Sequence, residues 1–306
     1  MAGRARSIAV LDAPSNLGLR PPPDGGVPGC GKAPGVLRDA GLLTALGAVD
    51  AGVVTPGRYR PDWTPGTVRN EATIAEHAAR LAARLDRITG QGGLPLVLGG
   101  DCSILVGVGA HLRRRGRFGL VSFDGLDYRH PGNSDAVGAA GGESLALATG
   151  RGGMLAELDG TRPYVHPTAT VALGVRPDDE YLPDARAAGL RVITSTAVAD
   201  DPTGAAQEAL RTVERPGLDG FWVHVDADVL DPSVMPAVDS PEPGGLTADQ
   251  LGVALGHLAD SPRLAGVDVT IYDPDRDPDP DFRHGKLLAD LLVSALGGTG
   301  RATAKR

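Results

Sequence analysis

The 306-residue sequence is poor in cysteine, in aromatic residues and in long apolar runs. Its two cysteines, Cys30 and Cys102, are too few for a disulfide framework and lack C-x-x-C spacing, which favours a reducing compartment. No apolar run approaches the roughly 18 residues that span a bilayer. The first apolar stretch is interrupted by Asp12 and Pro14, which is typical of a strand and not of a signal peptide. We therefore expect a soluble, cytoplasmic protein with no membrane partner.

Positive charge is also scarce. The chain has 30 basic against 38 acidic side chains and a formal net charge of −8. Proteins that bind nucleic acid generally need a basic face that displaces counterions from the phosphates. The charge balance thus excludes nucleic acid as a partner, whereas 42% hydrophobic and 22% charged residues are ordinary for a folded globular protein.

Short apolar runs alternate along the chain with segments of helical spacing. Strands without polar alternation, separated by helices, predict an α/β protein with a mostly parallel sheet covered on both faces. No linker interrupts the pattern, so we expect one domain over residues 1–306. The predicted strands are 8–11, 52–54, 94–98, 118–123, 169–173, 191–193, 220–225 and 264–269. The predicted helices are 34–46, 68–88, 104–114, 179–188, 202–213, 248–258 and 282–296.

Acidic residues follow three of these strands, at the edge where ligands bind in α/β sheets. Strand 94–98 is followed by GGDCS, strand 118–123 by DGLDY and strand 220–225 by DADVLDP. Asp226 and Asp228 are two residues apart, so both carboxylates can face one side of an extended backbone. Such a pair needs a cation or an arginine to offset repulsion, unless it caps backbone amides in the turn. We place His224 on the opposite face of this strand, as a packed residue.

Six segments, in order, resemble the arginase/agmatinase (ureohydrolase) family. They are GKAPGVLRDAGL, GGDCS, FDGLDY, LGVRPDD, HVDADVLDPS with PGGLT, and VDVTIYDPDRD. The resemblance implies a three-layer α/β/α sandwich with a mostly parallel eight-stranded sheet. It also implies a homo-oligomer, trimeric or hexameric, that acts on a small-molecule substrate. In this family two bridged manganese ions activate a water that attacks a guanidinium carbon and releases urea.

The metal ligands implied by the resemblance are present only in part. Asp124, Asp226 and Asp228 match ligand positions, whereas Cys102, Leu126 and Tyr128 stand where the family has two histidines and an aspartate. Asp127 is one residue out of register, and His130 lies two residues beyond Tyr128. Such a site has either no ion or one weakly bound Mn²⁺, Mg²⁺ or Ca²⁺, held by Asp124, Asp226 and Asp228. We therefore predict a degenerate dimanganese centre.

Two further positions depart from the family pattern. Gly141 falls near the histidine that is thought to move protons, and Ile271 takes the place of the glutamate that pairs with the guanidinium. Asp179 still matches a residue that contacts the amino-acid end of some substrates. We predict that Asp179, Ile271 and Gly141 contact the substrate. The predicted catalytic residues are Cys102, Asp124, Asp127 and Tyr128.

Cys102 is open to two interpretations. It opens a predicted helix, and a helix N-terminus lowers the pKa of a thiol, as a thiolate nucleophile or a soft metal ligand requires. Alternatively it is a small buried side chain that fills the space of the missing histidine.

Three functions are compatible with these residues. The first is an altered, metal-free or single-metal reaction on a small nitrogen-containing, guanidino- or amine-like metabolite, as in specialised metabolism. The second is weak metal-dependent hydrolysis of the C–N bond of an amidine. The third is a non-catalytic subunit or ligand-binding protein on the same fold. We expect an enzyme without standard arginase or agmatinase activity.

Overall fold

The computed structural model describes residues 6–129 and 136–298. Within these ranges the chain forms one eight-stranded sheet in which every strand pairs in parallel, so the mostly parallel sheet is confirmed. The strands are β1 (Ile8–Ala13), β2 (Val49–Val53), β3 (Leu94–Gly99), β4 (Phe118–Phe123), β5 (Thr170–Val175), β6 (Arg191–Thr194), β7 (Gly220–Asp226) and β8 (Leu264–Thr270). Their order across the sheet is β2-β1-β3-β8-β7-β4-β5-β6, so the last strand lies at the centre.

Helices cover both faces of the sheet, as the pattern predicts. They are α1 (Ala33–Asp39), α2 (Leu42–Leu46), α3 (Glu71–Gly90), α4 (Ile104–Arg115), α5 (Ser144–Ala148), α6 (Leu182–Ala187), α7 (Ser195–Asp200), α8 (Pro202–Val213), α9 (Ala248–Ala259) and α10 (Arg283–Leu296). One core contains buried side chains of α1, α2 and α7 to α10, a second contains those of α3 to α6, and a third, smaller one lies between α3, α4 and the loops beside them. No helix of the described ranges combines the length and apolar character that crossing a membrane requires.

Two helix predictions need correction, and two short helices were missed. The single helix predicted over 34–46 is two helices, because Gly41 adopts φ 86° between α1 and α2 and breaks the hydrogen-bond series. The helix predicted over 179–188 begins only at Leu182, after the side chain of Asp179 accepts a hydrogen bond from the Tyr181 amide at 2.7 Å. The short helices α5 and α7 were not predicted, since five or six residues carry little periodicity.

Candidate functional site

A cavity of about 360 Å³ opens at the carboxyl ends of the strands, where the sequence places its acidic motifs. Asp124 follows β4, Asp226 ends β7, and Asp228 lies in a short 3-10 helix, Ala227–Val229, directly after β7. Because β4 and β7 are neighbours in parallel register, their ends bring these carboxylates together. The predicted convergence of the three aspartates is confirmed: one carboxylate oxygen from each lies within 4.8 Å of the others.

Backbone amides donate hydrogen bonds to some oxygens of this carboxylate group and leave other oxygens without a donor. Asp124 Oδ1 accepts a hydrogen bond from the Leu126 amide at 3.0 Å, and Asp226 Oδ1 accepts one from the Asp228 amide at 2.9 Å. Asp124 Oδ2 and Asp228 Oδ1 are buried without a hydrogen-bond partner among the described residues. Buried acceptors without donors are costly, so these two atoms fit a cation or a bound donor.

A fourth carboxylate, Asp127, joins the group through an unusual backbone turn. Leu126 adopts φ 150°, which is rare for a residue with a side chain, and packs into the core that contains α3 to α6. Asp127 then lines the cavity and accepts a hydrogen bond from Ser144 Oγ at 3.2 Å. The shift of register at Asp127 thus does not remove it from the site, whereas His130 lies outside the described residues.

The four carboxylates are held in a setting that disfavours their charge. Burial raises the pKa of Asp124, Asp127 and Asp226 well above the usual range, and neighbouring carboxylates raise it further. Burial, followed by the charge of Asp239, raises the pKa of Asp228 to about 6. The group therefore holds protons near neutral pH unless a cation neutralises it.

Cys102 is fully buried beside this group and is not part of the cavity wall. Its Sγ lies 2.7 Å from Asp226 Oδ2, to which it donates, and 3.1 Å from Thr270 Oγ1. Burial, and then the charges of Asp226, Asp127 and Asp124, raises the pKa of the thiol well above its usual range. The expectation that the helix N-terminus lowers this pKa is therefore wrong, because burial among carboxylates outweighs the helix dipole.

Tyr128 does not lie where its predicted catalytic role requires. Its side chain is fully buried in the core of α3 to α6, with the guanidinium of Arg151 over the ring at 5.2 Å. The cavity wall includes Leu126 and Asp127 but not Tyr128. The turn at Leu126 sends alternate side chains to opposite sides, so Tyr128 packs inward.

The three predicted substrate-binding residues all line the cavity. Ile271 adopts φ 70°, a left-handed conformation that a β-branched residue rarely takes, and its amide donates to Gly100 O at 2.7 Å. Gly141 is held by a hydrogen bond from its amide to Gly18 O at 2.9 Å. Burial raises the pKa of Asp179, which lies at the outer wall.

Several residues of the site were not predicted from the sequence. Arg20, Arg129 and Arg176 line the same cavity, and Arg176 Nη2 donates to the backbone oxygens of Asp228 (2.8 Å) and Glu242 (2.9 Å). Nothing in their spacing indicates this role, because the three lie on separate loops.

His224 was also not predicted to belong to the site, and its predicted position on the face of β7 opposite to Asp226 was wrong. Residues two apart on a strand share a face, so His224 faces the same side as Asp226. Its Nδ1 lies 2.5 Å from Asp268 Oδ2, and Asp268 Oδ1 accepts a hydrogen bond from Trp222 Nε1 at 2.6 Å. All three side chains are completely buried. Burial acts to lower the pKa of His224, but Asp268 raises it above the usual range.

Neutralising one carboxylate of this group is expected to stabilise the metal-free protein. Asp127→Asn keeps an acceptor for the Ser144 hydroxyl and removes one charge from the group of four carboxylates. We expect its thermal midpoint in chelator to rise, because burial and the neighbouring carboxylates disfavour the charge of Asp127. Asp62→Asn, the same charge change at an exposed position, serves as control. A lower midpoint for Asp127→Asn alone would show that repulsion does not dominate the group.

Comparison with known proteins identifies similar sequences and structures over nearly the full chain. The model described as "Arginase family" matches residues 9–297. The arginase of Bacillus caldovelox is 28% identical over 281 residues, which cover 88% of this chain and 91% of that protein. Human Arginase-1 is 26% identical over 299 residues, covering 92% of this chain and 89% of that protein. The solved structure of the Bacillus caldovelox arginase superimposes with a TM-score of 0.84 at 27% identity, over 95% of this chain and 98% of that chain.

Proposed function

This chain belongs to the arginase family, and from that premise we propose that it acts on a small cationic, nitrogen-bearing metabolite by a reaction that does not use the family's pair of manganese ions. The observation that carries the proposal is the wall of the cavity, where the buried carboxylates of Asp124 and Asp226 and the half-buried ones of Asp127 and Asp228 lie beside the methyl surface of Ile271. Carboxylates in a concave, partly dry site attract a cation. Arg20 and Arg129 line the same cavity and suit an anionic group at the other end of the ligand.

The side chains at the replaced positions do not fit two manganese ions. Leu126 is packed into the core, Tyr128 is buried behind the cavity, and Cys102 donates its proton toward Asp226. Manganese takes carboxylate oxygen and imidazole ligands, and these positions supply neither a carboxylate nor an imidazole. Asp124, Asp226 and Asp228 remain as oxygen ligands for one divalent ion. When bound, one such ion polarises a substrate or lowers the pKa of a bound water.

The position of Ile271 argues against a guanidinium as the reacting group. A guanidinium needs a planar, bidentate carboxylate partner, and an isoleucine side chain offers none. The left-handed backbone at residue 271 turns this side chain into the cavity, so the apolar surface meets the ligand directly. An amine, which pairs with a carboxylate as a point charge, suits the remaining floor better.

The proton chemistry of the site belongs to the carboxylate group. With a pKa of about 6, Asp228 exchanges a proton close to neutral pH, which suits a general acid or base. Ser144 Oγ donates to Asp127 and fixes the orientation of this carboxylate at the cavity wall. Asp179 lies at the outer wall, where it meets the far end of a ligand.

We expect negligible urea release from arginine or agmatine. The chain lacks the ligands for two manganese ions, and it lacks the carboxylate that would pair with the guanidinium. The measurement is a colorimetric urea assay of the full chain with added Mn²⁺, beside a known arginase as positive control. In parallel, thermal shift with simple alkylamines and with alkylguanidines of matched length tests the ligand class. Urea release at rates ordinary for an arginase would overturn the proposal, as would guanidines binding more tightly than amines.

The same measurements separate the other two functions. Slow urea release that depends on metal would indicate weak amidine hydrolysis. Binding of amines with no turnover of any nitrogen-bearing metabolite tested would indicate a ligand-binding protein. A trimer or hexamer stays a prediction from the resemblance, and light scattering of the purified protein measures it.

A further inference from the structure

We propose that Cys102, His224 and Asp226 form a binding site for one thiophilic divalent cation, with Zn²⁺ as the ion that the ligands favour. The inference rests on the proposed function and deepens it, because it assigns the single ion of that reaction to Cys102, His224 and Asp226 instead of to Asp124, Asp226 and Asp228. It can nevertheless be tested without any substrate. The site adjoins the carboxylate group and shares Asp226 with it.

The three ligand atoms are already close to one another. Cys102 Sγ, a ring nitrogen of His224 and a carboxylate oxygen of Asp226 all lie within 4.8 Å of each other. Zinc bonds of about 2.3 Å to sulfur and about 2.0 Å to nitrogen or oxygen place tetrahedral ligands roughly 3.5 Å apart. An ion therefore fits between these atoms after small side-chain adjustments. All three residues are at most 1% exposed.

His224 is oriented as histidine ligands of metals are. Because Asp268 Oδ2 accepts from Nδ1, Nε2 is the ring nitrogen that remains for a metal ion held with Cys102 and Asp226. Asp268 is itself fixed by the hydrogen bond from Trp222 Nε1. A carboxylate behind the ring fixes its orientation and raises its basicity as a ligand.

The Nε2 atom of His224 is the observation that points to a ligand. It is completely buried and has no hydrogen-bond partner among the described residues. A buried polar atom left without a partner typically destabilises a protein by about 1–3 kcal/mol. A bound cation would satisfy it, and neither Asp226 nor Cys102 does so in the metal-free arrangement.

The chemistry of the ligands selects the ion. A thiolate and an imidazole favour zinc over manganese, which takes harder oxygen ligands. Binding forms a bond from sulfur to the metal and releases the thiol proton to solvent, together with the proton on Nε2 when the ring is charged. Three protein ligands would leave a fourth position open, as in catalytic zinc sites, and one of the three, Asp226, also lines the cavity.

The test uses the full-length protein, stripped with chelator and then loaded separately with Zn²⁺, Co²⁺ or Mn²⁺. Bound metal per chain is measured by mass spectrometry, and the cobalt form by absorption spectroscopy. We expect about one zinc per chain, retained against excess Mn²⁺, and a near-ultraviolet band of thiolate-to-cobalt charge transfer. Cobalt that binds without this band, or zinc that manganese displaces readily, would overturn the proposal.

Matched variants locate the ligands. Cys102→Ser should abolish the charge-transfer band and weaken zinc binding roughly tenfold or more. Cys30→Ser is the control, because Cys30 is the only other cysteine, is equally buried and lies outside the ligand group. His224→Gln should weaken binding and Asp228→Asn should keep the band, which distinguishes this site from the carboxylate group. Persistence of the band in Cys102→Ser, or its loss in Cys30→Ser, would contradict the assignment.

Failure of the zinc site and failure of the proposed function would give different results. The spectrum of the unmodified protein needs no variant to fold, and circular dichroism of each stripped variant reports folding. Zinc binding with ordinary arginase activity would refute the proposed function and leave the site standing. Amine binding without a thiolate-to-cobalt band would refute the zinc site and leave the proposed function standing.

Discussion

Replacing Asp268 with alanine is expected to lower the free energy of unfolding by about 3–5 kcal/mol, the usual result of breaking a buried ion pair from one side. Asp268 is completely buried at the centre of the sheet and accepts hydrogen bonds from both Trp222 and His224. Without it, an indole N–H and an imidazole are left buried with no acceptor, and a cavity forms beside them. The loss is larger than that of either hydrogen bond alone.

Denaturant titration of the metal-free protein measures this loss. Trp222→Phe is a matched control, because it removes one donor and keeps the pair of Asp268 with His224. We expect this variant to lose only about 1–2 kcal/mol. Equal losses in the two variants would show that the pair with His224 contributes nothing of its own.

Gly100→Ala is expected to destabilise the protein by more than about 3 kcal/mol, since the added methyl meets backbone instead of a movable side chain. A Cβ at this position would lie 1.6 Å from the carbonyl oxygen of Ser15. The carbonyl oxygen of Gly100 also accepts a hydrogen bond from the Ile271 amide. The loops after β1, β3 and β8 therefore meet at Gly100, and an added methyl group would force them apart.

The control for this substitution is Gly252→Ala in α9. A Cβ at residue 252 meets nothing within 4 Å, so we expect a gain of about 0.5–1 kcal/mol from the better helix former. Thermal melting of both variants, with amine binding as a second measurement, compares them directly. A Gly100→Ala protein as stable as the unmodified one would mean that the loop at Ser15 relaxes without cost.

The sheet was predictable because most of its strands are short apolar runs bounded by glycine, proline or aspartate. The exception is β2, which is largely exposed and contains Asp50, so the predicted strand 52–54 overlaps only the end of the observed Val49–Val53. Strands β3, β4 and β7 are buried on both faces, so their hydrophobic runs mark them unambiguously. The convergence of Asp124, Asp226 and Asp228 followed from the rule that parallel strand ends share one edge. Both predictions rest on patterns that are local in the sequence.

The orientation of side chains after the strand ends was not predictable in the same way. The positive φ of Leu126 decides that Asp127 enters the cavity and Tyr128 the core, and no residue pattern indicates that φ. The pKa of Cys102 depends on carboxylates that are distant in the sequence. His224 is different: its spacing from Asp226 already placed both on one face, and the pairing of His224 with Asp268 in β7 and β8 completes the arrangement.

The central place of β8 has a consequence for biosynthesis. As the ribosome releases the chain, β1 to β3 and β4 to β7 emerge first, yet the partner between β3 and β7 is the last strand made. Until residues 264–270 arrive, two incomplete sheets each expose an open edge, which is the usual substrate of chaperones and the usual start of aggregation. Thr270, which contacts Cys102 from one half of the sheet and Val225 from the other, also arrives only then. The binding site thus stays incomplete until β8 has been synthesised.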